Sequence, residues 1–160
     1  MDKDSEARLH AYLEDHLTGA LKATALLRDA RGRWDGGTDA FFEALLSEIE
    51  ADRGALEDVL ARVGAEPSRL KNAAAAAAEK ALALRHRLID ERLALVEMLE
   101  ALLLGVRGKR ALWVVLEDLA RTNGRLSDVD FGALGRRAED QLERIEQRRR
   151  AAARAAFADA

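Results

Sequence analysis

The sequence predicts an all-α helical bundle, and three observations carry that reading. Good helix formers dominate the 160 residues, with 49% hydrophobic and 34% charged side chains, 4% aromatics and a single proline, Pro67. Apolar residues recur at steps of three, four and seven along stretches far longer than a strand. The breaks between those stretches carry glycine, aspartate and proline, which end one helix and open the next. A chain of this length suits one domain over residues 1–160, large enough to bury a real core.

The first long helix is expected over about 5–31, where Leu9, Leu13, His16, Ala20, Ala23 and Leu27 follow the spacing of a bundle seam, with Tyr12, Leu17 and Thr24 beside it. Gly32, Gly36 and Gly37 then favour a turn, and Thr38 is expected to cap the second helix through its hydroxyl. That helix, about 39–63, carries Phe42, Leu45, Ile49, Leu56, Leu60 and Val63 inward, with Asp52 and Arg53 on the two edges of the stripe. Gly64 is its expected C-cap, and Pro67 follows where a helix starts but cannot continue.

Residues 68–89 hold the alanine run Ala73 to Ala78, which favours helix but buries little apolar area, so they are expected to form a crossover helix. The third long helix, about 90–122, is the one the others pack around. Leu95, Leu99, Leu102, Val106 and Trp113 line one face, widened by Val96, Leu103 and Val114. Gly105 and Gly108 within it are expected to admit a close neighbour or a kink, and Asn123-Gly124 to end it in the left-handed conformation. The last long helix, about 129–157, turns Phe131, Leu134, Ala138, Leu142, Ile145 and Ala152 inward, with Gln141, Arg148 and Arg149 on or near that face.

Composition removes several function classes. The formal net charge of −3 gives no global field for nucleic acid or an anionic membrane, and the run Arg148 to Arg150 reads as a solvated helix face. No nucleic-acid or membrane partner is expected. Without cysteine there is no disulfide, thiolate metal site or thiol nucleophile, and Ser5, Ser47, Ser68 and Ser127 have no histidine close in sequence to activate them. The charged opening MDKDSEARLH lacks the apolar core of a secretory signal, and Glu97 and Glu100 interrupt the greasiest stretch, so a cytoplasmic protein is expected. GVRGKR, residues 105–110, lacks the spacing of a phosphate-cradling loop.

Two antiparallel long helices, a long crossover and two more long helices give the chain the ordering of a ferritin-like bundle. The stretches YLEDHLTGAL, FFEALLSEIEADRGALEDVL and MLEALLLGVRGKRALW resemble the first three long helices of that superfamily. The resemblance implies an antiparallel four-helix bundle with a crossover between the second and third long helices. It also implies a test, because active members hold two metals through a Glu on each of two helices and a Glu-x-x-His on each of the other two. His10, His16 and His86 are the only histidines, and none lies three residues after an acid. Asp15 and Glu100 match the lone glutamates. Ile49 with Asp52, or Glu48 with Asp52, and Gln141 with Arg144, or Glu143 with Glu146, stand where the paired motifs would fall.

The polar residues on or beside the inward faces are His16, Asp52, Arg53, Glu100, Lys109 and Gln141. They are expected to form a mutually paired interior network, since a buried charge or amide must find partners. The competing reading takes His16, Asp52, Glu100 and Gln141 as an irregular site for iron or manganese in a redox or metal-binding protein. The preferred expectation is a non-catalytic bundle without cofactor that acts by protein association, as a homodimer or with a helical partner. Trp34, Phe41 and Trp113, large aromatics near stripe ends or edges, are the expected association surface.

Overall fold

The computed structural model describes residues 2–64 and 90–158, and among these the chain forms four helices and no strand. They are α1 (Lys3–Asp29), α2 (Gly36–Arg62), α3 (Glu91–Ala120) and α4 (Phe131–Ala156). The crossover expected at residues 68–89 lies outside the described residues.

An aspartate opens every one of these helices. Asp2, Asp35, Asp90 and Asp130 each accept a hydrogen bond from a backbone N–H of the first turn, satisfying a donor that the helix itself leaves unpaired. Thr38, expected as the cap of the second helix, sits one turn inside it. Its hydroxyl donates to Asp35 Oδ2 at 3.1 Å while Asp35 Oδ1 takes the Thr38 N–H at 2.9 Å, and the carboxylate, with two acceptor oxygens, displaces the hydroxyl from the capping role. Gly36 and Gly37 therefore belong to the first turn of α2.

At the far end of α2 the chain leaves the helix through Gly64 at φ +78°, as the sequence implies. Asn123-Gly124 does not adopt the left-handed conformation; among the described residues the positive-φ positions are Gly32 and Gly64. The segment after α3 is fixed instead by Leu126, which is fully buried, and by short-range hydrogen bonds such as Leu126 N–H to the Asn123 carbonyl at 3.0 Å.

Cross-helix contacts give the helix directions. His10 meets the Val63 carbonyl and Arg28 meets Glu50, so α1 and α2 run in opposite senses. Asp52 pairs with Arg137 and Thr38 with Arg148, which does the same for α2 and α4. Glu100 faces Arg149, and Trp113 stacks on Phe131 with ring centroids 6.2 Å apart, so α3 and α4 are opposed as well. Trp34, just past α1, donates to the Glu91 carbonyl at 3.5 Å, while Arg125, just past α3, faces Glu6 at 3.7 Å. It follows that α2 and α3 share a direction and that Gly64 and Asp90 stand at opposite ends of the bundle.

The core fills from all four helices. Leu13, Leu27, Leu45, Ile49, Leu60, Leu99, Leu102, Leu116 and Ile145 are buried, as the three- and four-residue spacings require. Several residues depart from expectation. Trp113 is 1% exposed, as its place on the inner stripe of α3 requires, and so belongs to the core rather than to an association surface. Trp34 and Phe41 are half-covered, Trp34 packing edge-on against Phe42 and Phe41 lying under the Arg148 guanidinium. Val114, expected to widen the inner stripe of α3, faces outward. On α1, His16, Ala20 and Ala23 stay half-exposed in mid-stripe because they line a cavity instead of packed side chains.

Leu126 gives the fold a test outside its helices. Leu126→Ala should lower stability by about 2–5 kcal/mol, as for a fully buried leucine in a helix, although it lies between helices. Arg125→Ala next to it, an exposed partner in a long ion pair, should change stability by no more than about 0.5 kcal/mol. Urea denaturation monitored by circular dichroism measures both.

Candidate functional site

Asp52 lies on the inward face of α2, one turn after Ile49 and one before Leu56, so helical spacing delivers a carboxylate to the interior. It is 2% exposed and sits within the bundle, not at the stripe edge. Three side chains converge on it. Arg137 of α4 donates from Nε to Oδ1 at 2.7 Å and from its terminal nitrogen to the same oxygen. Lys109 of α3 donates to Oδ2 and also to the Gln141 side-chain carbonyl, and the Gln141 amide nitrogen lies 3.3 Å from Oδ2.

One turn away on α2, Glu48 extends the cluster by accepting from Gln141 at 3.0 Å and from Arg144 at 2.6 Å. Arg137, Gln141 and Arg144 recur at four and three residues, which puts them in one row along the face of α4 that meets α2. The cluster thus ties three helices at one level.

The environments shift the titrations. Burial pushes the Lys109 ammonium below the usual lysine value, with the charge and hydrogen bond of Asp52 opposing that effect. Burial also raises Glu48, but hydrogen bonds from Arg144 and Gln141, together with the Arg144 charge, more than offset it and leave the carboxyl low.

Of the six residues expected in an interior network, Asp52, Lys109 and Gln141 come together. Glu100 does not: its side chain is 53% exposed on the outer part of α3, facing Arg149 at 3.4 Å, because its helical position is turned away from the Leu99–Leu102 stripe. Arg53 points along its own helix to Glu57 at 3.3 Å, one residue round from Asp52 and off the α4-facing side. His16 is half-buried edge-on to Tyr12, with ring centroids 4.7 Å apart, and has no hydrogen bond to the cluster. Its imidazole is held below the usual value by burial, against the opposing charge of Asp15. Sequence reasoning passed over Arg137, although it lies four residues before Gln141 on the same face of α4.

The resemblance to metal-binding bundles can be tested on this donor set, and the residues do not fit. Asp52 and Glu48 meet Lys109, Arg137 and Arg144, so two carboxylates already face three cations. A divalent ion there would be repelled by groups 4 Å or less from the same oxygens. Asp15 and Glu100, the matches to the lone glutamates, are on exposed positions. Among the described residues, no group of three or more His, Asp or Glu side chains is placed to hold a metal.

Beside the cluster, between α1, α2 and α3, lies a cavity of about 210 Å³ whose wall includes Asp52 and Lys109 at one end. Gly19, Gly105 and Gly108 form part of that wall, and a Cβ built on any of them meets no neighbouring atom within 4 Å. The glycines of α3 therefore neither admit a close neighbour nor interrupt the helix, which runs unbroken through both. They open space.

With this geometry described, comparison with known protein families, characterised proteins and solved structures finds no match to the chain. Likewise, no described helix is long and apolar enough to cross a membrane.

The cluster yields two predictions. Asp52→Ala strands Lys109 and Arg137 beside an apolar core and should destabilise by about 3 kcal/mol or more, whereas Asp52→Asn, which keeps the acceptor oxygen, should cost less; chemical denaturation separates them. The second concerns acid. Glu48 binds its proton less readily folded than unfolded, so the unfolded chain takes up more protons as pH falls below about 4.5, and stability must drop there. Glu48→Gln should be less stable at neutral pH and show a flatter decline below about pH 4.5, measured as denaturation midpoint against pH.

Proposed function

We propose that this chain is a ferritin-like, antiparallel four-helix bundle that works without catalysis, by associating with a second copy of itself through the outer face of α3. The ferritin-like reading is supported by the helix directions: first and second opposed, third and fourth opposed, second and third in the same direction. Such an order needs a connection as long as the bundle, about 40 Å for a helix of 27 residues.

The observation that carries the association is one exposed stripe. Ala101, Leu104, Gly108, Ala111 and Val115 follow one another at three, four, three and four residues, so they form a straight apolar seam on the side of α3 opposite the core. Leu104 is 74% exposed, the most exposed of the large apolar side chains among the described residues, and Val115 at the end of the seam is exposed as well. A seam with this spacing is the pattern by which one helix packs along another, and it stands out on a surface otherwise rich in charge.

Charge favours a second copy in one register. When two α3 helices run in opposite directions with their Leu104 residues face to face, Glu100 of each copy comes alongside Arg107 of the other, and the contact is self-complementary about a two-fold axis.

Sedimentation equilibrium tests the proposal. The wild-type chain should be dimeric, and Leu104→Asp should raise the dissociation constant by about 10- to 1,000-fold, the reach of roughly 1.4–4 kcal/mol, with helical content unchanged because Leu104 contributes little to the monomer core. A monomeric wild type at high concentration, or a Leu104→Asp variant that still dimerises, would overturn it.

A further inference from the structure

We propose that the cavity between α1, α2 and α3 is a binding site for an uncharged apolar molecule about the size of one aromatic ring that carries a hydrogen-bond-accepting oxygen. The inference stands on the cavity itself; Leu104 and Gly108 belong both to its wall and to the outer seam of α3, and the test below separates ligand binding from self-association.

Size comes first. The cavity holds about 210 Å³, whereas an engineered apolar cavity of about 150 Å³ already admits benzene. One ring with a short substituent fills it. The wall is mainly aliphatic, with Ile49, Leu56, Val106 and Leu112 contributing, and such a surface favours an apolar body.

The cavity owes its space to glycine. Gly19, Gly105 and Gly108 lie in helix interiors, where alanine would favour the helix more, and an added Cβ would touch nothing at any of the three. Packing and helix stability therefore do not call for glycine at these positions; keeping a space open does. Gly105 and Leu104 are exposed, so the space communicates with solvent beside α3.

Charge and hydrogen bonding refine the chemistry. Asp15 and Asp52 on the wall balance Arg53 and Lys109, and Lys109 is engaged by Asp52 and Gln141, so no net field selects an ion. Trp113 forms part of the wall, is almost wholly buried, and its indole N–H has no hydrogen-bond partner among the described residues. That unmatched group is a donor, so a ligand oxygen that accepts complements it, while a second donor would not.

Acetophenone is a suitable probe, with ethylbenzene as its counterpart lacking the acceptor and benzoate as its charged one. Titration followed by the indole N–H resonance of Trp113 in a ¹⁵N-labelled full-length chain should give a saturable shift with acetophenone, with ethylbenzene and benzoate binding more weakly. Gly105→Leu should abolish binding with the melting temperature unchanged or raised, and Gly105→Ala should weaken it in part. Trp113→Phe, followed by calorimetry, should weaken acetophenone binding while leaving ethylbenzene nearly as before. Ala111→Glu, outside the cavity wall but on the outer seam of α3, should retain binding whatever it does to the oligomeric state. No saturable shift with acetophenone, binding that survives Gly105→Leu, or loss in Ala111→Glu would overturn the site. Ethylbenzene or benzoate binding at least as tightly as acetophenone, or a Trp113→Phe variant that loses both neutral ligands equally, would overturn the ligand chemistry.

Discussion

A carboxylate with 2% of its surface exposed must be met by cations and hydrogen-bond donors in a helical bundle, and Asp52 imposes that condition on three helices at once. Lys109 must extend inward from α3, Arg137 must lie across from α4, and Gln141 must turn both its oxygen and its nitrogen toward the group. Each partner fixes the rotation of its helix about its own axis. An apolar core alone tolerates small slips of one helix along another, because leucine can meet leucine in several registers. A buried carboxylate with Arg137 on one oxygen and Lys109 on the other does not. The cluster thus contributes less to net stability than to the choice of a single alignment among several of similar apolar burial, as the polar a-position residues of coiled coils do.

The elements that could be read from sequence are those whose periodicity has one physical cause. Phe42, Leu45, Ile49, Leu56, Leu60 and Val63 are all buried because α2 is surrounded, so its apolar spacing and its environment agree. Gly64 was legible for a similar reason, since the end of a helix leaves few alternatives to φ > 0 at that point. The helix starts were less so. Asp2 with Ser5 and Asp35 with Thr38 share one spacing, yet an acid before a hydroxyl invites the hydroxyl to be read as the cap, and only the coordinates show which oxygen takes the N–H.

Within the interior cluster, Asp52, Lys109 and Gln141 could be picked out because each breaks an apolar stripe. Glu100 breaks one as well, but its position is about 100° or more round the helix from the buried Leu99–Leu102–Val106 row, at about 100° per residue, and this rotation decides between interior and surface. Arg137 escaped notice because α4 is rich in arginine, with seven between residues 136 and 154, and a helix wheel does not tell which of several solvated-looking arginines has a carboxylate opposite. That information lies in the partner helix.

Charge balance also distinguishes this interior from that of a metal-binding helical bundle. A two-metal centre brings four positive charges into the bundle and requires an excess of carboxylates to balance them. Here Lys109, Arg137 and Arg144 bring the positive charge on covalently attached side chains, and Asp52, Glu48 and Asp140 answer it. The charge balance is complete without an ion, and its positive half cannot dissociate or change valence. What such a cluster can do is hold geometry. It anchors α3 by Lys109 on the inner side, immediately beside the glycine-lined cavity, and adds a charged tie to the apolar packing that holds α3 along α4.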